Sequence, residues 1–165
     1  MAPERYPNRP ESEPSEVLHY ERPSLVLVFG PPGFGRDLIA KTVPEFVITV
    51  DWSNPEDVLT GIDAILAKGG SGLVDCSDAA KRQRVLVNRI ARRHGVPVIG
   101  VVFDEPKDRP YPVSDGSSDT EKPRWQYKRT RADLLEKGTY DNQGFSRIQA
   151  FGPEIFGRIW RVEFE

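Results

Sequence analysis

Short runs of apolar residues recur along the chain from Leu25 onward, separated by longer mixed segments. A run of about four to eight apolar residues without polar alternation is typical of a strand that is covered on both faces of a sheet. Leu25–Phe29 is such a run, and five further segments in which apolar residues are frequent are also predicted as strands: Phe46–Val50, Leu73–Cys76, Val96–Phe103, Phe145–Phe151 and Ile159–Phe164. The last two are expected to pair with each other across the turn at Gly152-Pro153.

The segments between these runs carry helix signals. Apolar residues at helical spacing, first-turn prolines and terminal glycines predict helices over Arg36–Val43, Pro55–Lys68, Ala79–His94 and Arg124–Lys137. Ser53 or Asn54 is positioned to cap the second of them. Strands that alternate with helices predict an α/β fold, in which a parallel sheet is the middle of three layers and helices cover both of its faces.

Two segments lack the apolar spacing of packed elements. Residues 1–23 are rich in Pro, Glu, Ser and Arg, and are expected to form a flexible N-terminal arm before a single domain over residues 24–165. Residues 104–123 are polar and rich in Pro, Gly and Ser, so we expect a mobile loop there, placed as a lid.

Composition narrows the class of protein. The chain has 165 residues and a net charge of -2, which excludes a generic polyanion binder, so any contact with DNA or RNA must use a local basic patch. Its one cysteine, Cys76, cannot form an internal disulfide, and with only His19 and His94 beside it a Cys/His zinc site is not expected. No apolar run approaches the roughly 20 residues that span a bilayer. We therefore expect a cytoplasmic protein without a membrane partner.

The residues after the first strand carry the main chemical signal. Gly30 and Gly35 match the first part of the P-loop pattern G-x-x-x-x-G-K-[ST], between an apolar strand and a helix-compatible segment. In that pattern glycines let backbone N–H groups approach phosphate oxygens. The pattern then fails twice, because Arg36 stands in place of the lysine and Asp37 in place of the Mg²⁺-binding hydroxyl.

In its order of elements the chain resembles the kinase domain of polynucleotide kinases, a branch of the small P-loop phosphotransferases. Beyond the loop, five segments between Leu25 and Phe151 carry the resemblance: Val47-Ile-Thr-Val-Asp51, Val74-Asp-Cys-Ser77, Ala91-Arg-Arg-His-Gly-Val-Pro-Val98, Tyr111-Pro-Val-Ser-Asp115 and Asp141-Asn-Gln-Gly-Phe-Ser146. The resemblance implies a P-loop NTPase-type fold, with ATP and Mg²⁺ as cofactors and transfer of the γ-phosphate to a hydroxyl of nucleic acid or nucleotide.

The resemblance also implies roles for single residues. The nucleotide would be bound by Gly30, Gly33, Phe34, Gly35, Arg36 and Asp37. Asp51 would act as general base, and Arg36 together with a lid arginine would stabilise the transferred phosphoryl group; Arg109 is favoured for the lid over Arg124, Arg129 and Arg131. Asp75, Arg82 and Arg124 would bind the acceptor, and Asp37 and Asp75 are the candidate Mg²⁺ ligands.

Structural interpretations stand beside these roles. Asp37 is also a first-turn aspartate of the kind that a helix dipole favours, and as a carboxylate it would repel a triphosphate unless Mg²⁺ bridged the two. Asp51 and Asp75 can instead cap the helices that follow them, and the basic face of Ala79–His94 can be simply solvated. The alternative function is therefore a catalytically inactive P-loop protein that binds nucleic acid or another protein.

Overall fold

Four parallel strands form the central sheet of the computed structural model; in spatial order they are Gly72–Asp75, Leu25–Phe29, Val98–Phe103 and Arg147–Phe151. The structure describes residues 16–31, 33–40, 52–77, 79–104, 121–135, 143–152 and 159–165. Its elements are β1 (Glu16–Tyr20), β2 (Leu25–Phe29), α1 (Phe34–Ala40), α2 (Pro55–Ala67), β3 (Gly72–Asp75), α3 (Lys81–Arg93), β4 (Val98–Phe103), α4 (Glu121–Leu135), β5 (Arg147–Phe151) and β6 (Ile159–Phe164).

The sheet follows from the apolar runs. Every residue of β2 and β4 is buried, which is the pattern expected of central strands with cover on both faces. Their parallel register places Leu25 opposite Val98 and Phe29 opposite Val102. The predicted strands at β2, β3, β4 and β5 are thus confirmed. The predicted strand Phe46–Val50 lies outside the described residues.

Two apolar clusters cover the two faces of the sheet. On one face, α2, α3 and α4 contribute side chains such as Ile62, Val87 and Leu134. On the other face, α1 packs beside Tyr20 of β1 and Phe164 of β6. The parallel sheet is therefore the middle of three layers with helices on both faces, which confirms the predicted α/β class. Within the described residues, no helix is both long and apolar enough to cross a membrane.

The pairing of β6 differs from the prediction. β6 does not pair with β5; it forms a separate two-stranded parallel sheet with β1, in which Tyr20 is opposite Phe164. Val162 and Phe164 of β6 are buried against the central sheet, whereas Arg161 before them is exposed and Glu163 between them is half-buried. This alternation fits a strand with one buried face, and it leaves β5 as an edge of the central sheet among the described strands.

Two predicted boundaries are also wrong. Residues 16–20, assigned to the flexible arm, form β1, where Tyr20 is buried and His19 Nδ1 lies 2.6 Å from Glu165 Oε1. The arm's polar composition concealed this strand because its partner is more than a hundred residues away. The last residues of the expected mobile loop, 121–123, belong to α4, and residues 105–120 lie outside the described residues.

Candidate site at the glycine loop

The glycine loop leaves the sheet at its topological switch point. β2 lies between β3 and β4; the helix that follows it, α1, packs on one face of the sheet, whereas α3, which connects β3 to β4, packs on the other. In open α/β sheets, ligands bind in the crevice outside the carboxyl ends of the strands at such a point. Gly30 follows the last residue of β2 directly, which places the loop at this crevice.

Hydrogen bonds within the protein fix the shape of the loop. The backbone N–H of Gly30 donates to Ser77 Oγ over 3.0 Å, and the N–H of Phe34 donates to the carbonyl of Pro31, also over 3.0 Å. Gly33 between them has φ of 88°, a conformation that side chains disfavour. The loop is thus a closed turn, and two of its backbone donors already have partners inside the protein.

Asp75, at the end of β3, packs directly against this loop. A Cβ added to Gly35 would lie 2.5 Å from Asp75 Cγ and 2.6 Å from its Oδ1, so the carboxylate occupies the space that a side chain at position 35 would need. Asp75 Oδ1 also accepts hydrogen bonds from Ser77 N over 3.1 Å and from Ser77 Oγ over 2.8 Å. Through Ser77 and Gly35 the carboxylate joins the ends of β2 and β3 to the start of α1.

Phe34 belongs to the core instead of the ligand-facing side of the loop. Its side chain is 3% exposed, and its ring centroid lies 4.6 Å from that of Phe103 in β4. The ring anchors the first turn of α1 to the central sheet. The predicted contact of Phe34 with a nucleotide is therefore limited to its backbone.

For the remaining predicted site residues, the structure gives at most the helix in which each one lies. Arg36 and Asp37 lie in the first half of α1 and Arg124 in the first half of α4. Asp51 and Arg109 lie outside the described residues. Where the structure is described, it holds no group of three or more His, Cys, Asp and Glu side chains suited to a metal ion. The structure thus brings Gly30, Gly33, Gly35 and Asp75 together, and adds Ser77 to them.

Arg84 departs from the predicted basic face of the α3 helix. Arg82 and Arg89 are exposed as expected, but Arg84 is only 2% exposed. Its Nε donates to Gln143 Oε1 over 3.0 Å and its Nη1 to the carbonyl of Ala79 over 2.9 Å. Burial lowers the pKa of this guanidinium, which lies 6.0 Å from the ring centroid of Phe29. Arg84 therefore links α3 to Ala79, just before the helix, and to Gln143, just before β5.

Cys76 is a core residue. Its side chain is fully buried, and burial raises the pKa of its thiol, with the neighbouring Asp75 carboxylate adding to the effect. A thiol that is kept protonated and away from solvent is a poor nucleophile. This agrees with the interpretation of Cys76 as a small buried residue.

Sequence reasoning missed Ser77 and Gln143 as partners in this region. Ser77 enters the sequence analysis only as the end of the segment Val74–Ser77, and its contact with the N–H of Gly30 joins residues 47 positions apart. Gln143 sits in a polar segment with no periodic signal, yet it is 2% exposed and bonded to Arg84. No local pattern predicts either contact, because each depends on which strands and helices become neighbours.

Comparisons with known proteins do not identify a family for this chain. No family model matches the sequence, and no curated protein matches it. Among solved structures, one similar chain is described as "Crystal structure of APE1195", with 18% sequence identity and a TM-score of 0.33. The similarity covers 78% of this chain and 86% of that one. At this level the comparison carries no functional argument, and the site must be judged on its own geometry.

Proposed function

We propose that the glycine loop binds the phosphates of a Mg²⁺-nucleotide and that the protein transfers a phosphoryl group to a hydroxyl of nucleic acid or nucleotide. One observation supports this above all: the Asp75 carboxylate packs against Gly35 at the switch point of the sheet. A glycine loop and an acidic strand end at one crevice are the two fixed parts that phosphate and metal binding require in P-loop proteins.

The chemistry of the donor set fits Mg²⁺, since carboxylate oxygens are preferred ligands of this ion. Asp75 would supply one oxygen, with Asp37 of α1 as the second candidate ligand. When bound, Mg²⁺ would neutralise charge on the phosphate oxygens and so offset the repulsion between them and these carboxylates. Arg36 would add a planar cation suited to phosphate oxygens, and Asp51 would accept the proton of the attacking hydroxyl.

The basic face of α3 supports nucleic acid as the acceptor. Lys81 and Arg82 are exposed, and neither has an acidic partner among the described residues. Arg82 lies in the first turn of α3, close in sequence to the carboxyl end of β3. Unpaired cations along one helix provide the sequence-independent attraction for a phosphate backbone, and they predict binding that weakens as salt concentration rises.

A second candidate, nucleotide or nucleic-acid binding without turnover, is favoured by the loop's own hydrogen bonds. The N–H groups of Gly30 and Phe34 donate within the protein and so do not point at a ligand. Combined with Arg36 and Asp37 in place of lysine and a hydroxyl residue, this leaves fewer donors for a triphosphate. On this alternative the fold is retained for binding alone.

The test combines ATP binding with phosphate transfer to a 5′-hydroxyl oligonucleotide, with and without Mg²⁺. The kinase proposal expects Mg²⁺-dependent ATP binding and labelled product, both lost in Arg36→Ala and retained or increased in Asp37→Ser. Asp51→Asn should lower turnover with little change in ATP affinity, because a general base acts in the transition state. ATP binding without product supports the second candidate.

Absence of ATP binding at millimolar nucleotide, with binding restored when Arg36 and Asp37 are changed to Lys and Ser, overturns the kinase proposal. If the salt-dependent binding of the oligonucleotide is unchanged in Arg82→Gln, the proposal that α3 binds the nucleic-acid acceptor is overturned. Asp75→Asn provides the metal readout: Mg²⁺ should no longer increase ATP affinity, although the loop itself is intact.

A further inference from the structure

A separate cavity opens at the opposite edge of the central sheet. It has a volume of about 430 Å³ and lies where α3 ends and where the chain enters β4 and β5. This edge carries the amino ends of the strands, whereas the glycine loop lies at their carboxyl ends. The size falls within the roughly 300–1,000 Å³ of small-molecule sites. Apolar surface comes from Pro97 and Phe145, and polar groups from Asn88, Arg92 and Ser146.

Arg92 lines this cavity. A Cβ added to Gly144 would lie 3.2 Å from Arg92 Nη2, so the guanidinium lies against the backbone of Gly144. Gly144 has φ of 92°, which together with this contact disfavours any larger residue there. Arg92 has no acidic partner among the residues that the structure describes. The cavity therefore presents a positioned cation whose charge is not balanced by these residues.

Ser146 and Asn88 add hydrogen-bonding groups beside this cation. Ser146 Oγ accepts the N–H of Val98 over 3.0 Å, which leaves its own hydrogen for donation. Asn88 is 1% exposed; its Nδ2 donates to the carbonyl of Gln143 over 2.8 Å, while its Oδ1 has no partner among the described residues. This oxygen lines the cavity as an acceptor, so it is available to an O–H or N–H of a ligand and does not bind the charged oxygens of an oxyanion.

The carbonyl groups at the carboxyl end of α3 do not strongly repel an anion bound in this cavity. The carbonyl of Arg92 accepts the N–H of Gly95 over 3.0 Å, and the carbonyl of Ala91 accepts the N–H of Val96 over 2.9 Å. These last carbonyls carry the negative end of the helix dipole, and their pairing within the turn reduces their effect on a ligand. Among the described residues that line the cavity, Arg92 alone carries a charge.

We propose that this cavity binds a small organic oxyanion, a phosphate monoester or a carboxylate on a compact apolar body. The planar guanidinium of Arg92 pairs with two of its oxygens, Ser146 donates its hydroxyl hydrogen, and the apolar body packs on Pro97 and Phe145. The site is independent of the proposed phosphoryl transfer because it lies at the other edge of the sheet. It takes no part in that reaction.

The test follows backbone amide signals by NMR during titration with phenyl phosphate, benzoate and inorganic phosphate, with phenol as the uncharged probe. We expect the amides of Gly95, Gly144 and Ser146 to shift with one of the two aromatic anions, and not with phenol. Which anion binds more tightly distinguishes phosphate monoesters from carboxylates. Inorganic phosphate should bind more weakly than phenyl phosphate, because it lacks the apolar body.

Arg92→Gln should weaken binding by at least about tenfold, since the charged bidentate contact is lost. Arg89→Gln is the matched control: Arg89 is exposed on the same helix and does not line the cavity, so binding should stay within about twofold. Repeating the titration with saturating Mg²⁺-ATP tests whether the cavity and the glycine loop are separate sites, since the affinity for the aromatic anion should then be unchanged. Shifts confined to Gly30, Gly33 and Gly35, or equal affinities of the two arginine variants, overturn the proposal.

Discussion

Replacing Gly35 by alanine tests the contact on which the proposed site depends. The added Cβ would lie within 2.8 Å of all three atoms of the Asp75 carboxyl group, closer than side-chain carbons approach one another or oxygen. Asp75 is short, and its Oδ1 is held by the N–H and the hydroxyl of Ser77, so the carboxylate cannot turn away without losing these hydrogen bonds. Gly61 provides the control, since a Cβ there meets no atom within 4 Å.

The expected magnitude follows from three contributions. Loss of hydrogen bonds to a charged group costs about 1.5–3 kcal/mol, and forced overpacking costs about 1–3 kcal/mol if the carboxylate stays in place. These costs are alternatives, since the carboxylate either moves or is compressed. Alanine in place of a helical glycine returns about 0.5–1 kcal/mol. Gly35→Ala should therefore lose about 1–2 kcal/mol, whereas Gly61→Ala in α2 should gain up to about 1 kcal/mol.

Thermal and urea unfolding measure both variants in the full chain. A change of 1 kcal/mol corresponds to roughly 2–4 °C in Tm for a protein of this size, so a difference of about 1–3 kcal/mol between the two variants corresponds to about 2–12 °C. If the proposed function holds, Gly35→Ala also loses nucleotide binding and Gly61→Ala keeps it. A Gly35→Ala protein as stable as Gly61→Ala would refute the reasoning, because Asp75 would then not occupy the space beside the loop.

Three further predictions concern contacts outside the loop. Arg84→Lys should destabilise the protein by about 1–3 kcal/mol in urea unfolding, because lysine cannot keep both buried hydrogen bonds. The control is Arg89→Lys at an exposed position of the same helix, which should change the free energy of unfolding by less than about 0.5 kcal/mol. Tyr20→Phe removes the 2.6 Å hydrogen bond between β1 and β5 and should lower the free energy of unfolding by about 1 kcal/mol; no loss would contradict the placement of β1. The hydrogen bond from His94 lowers the pKa of Asp63 from its ordinary value, so this pair stabilises the folded state above the pKa of the unfolded chain and ceases to do so as pH falls through the folded-state pKa. Asp63→Asn should accordingly lower Tm near pH 6 and differ less from the parent protein near about pH 2.5, and an equal difference at both pH values would contradict the linkage.

The apolar runs were sufficient to predict the central sheet because their signal is local. A continuous run such as Leu25–Phe29 is stable only where both of its faces are covered, and that requires helices on two sides. The helices α2 and α3 were predicted within about two residues of their observed ends for a similar reason, since their apolar spacing and terminal glycines are read along the chain. The position of the glycine loop followed from the same pattern.

Pairings between distant segments were beyond sequence reasoning. β1 and β6 join the two ends of the chain, and neither segment carries information about its partner. The same holds for Arg84, which belongs to a run of basic residues and is buried only because Gln143 and Phe29 are brought to it by the fold.

The sequence by itself determined the class of the fold and placed a glycine loop after the first central strand. Both the apolar runs and the glycine pattern can be read from residues that are adjacent in the chain. Only the tertiary structure decided that Asp75 lies against Gly35, that Ser77 holds both Asp75 and the N–H of Gly30, and that Phe34 turns into the core. These contacts depend on strand order and packing, which are set by the burial of the whole chain and not by any one segment of it.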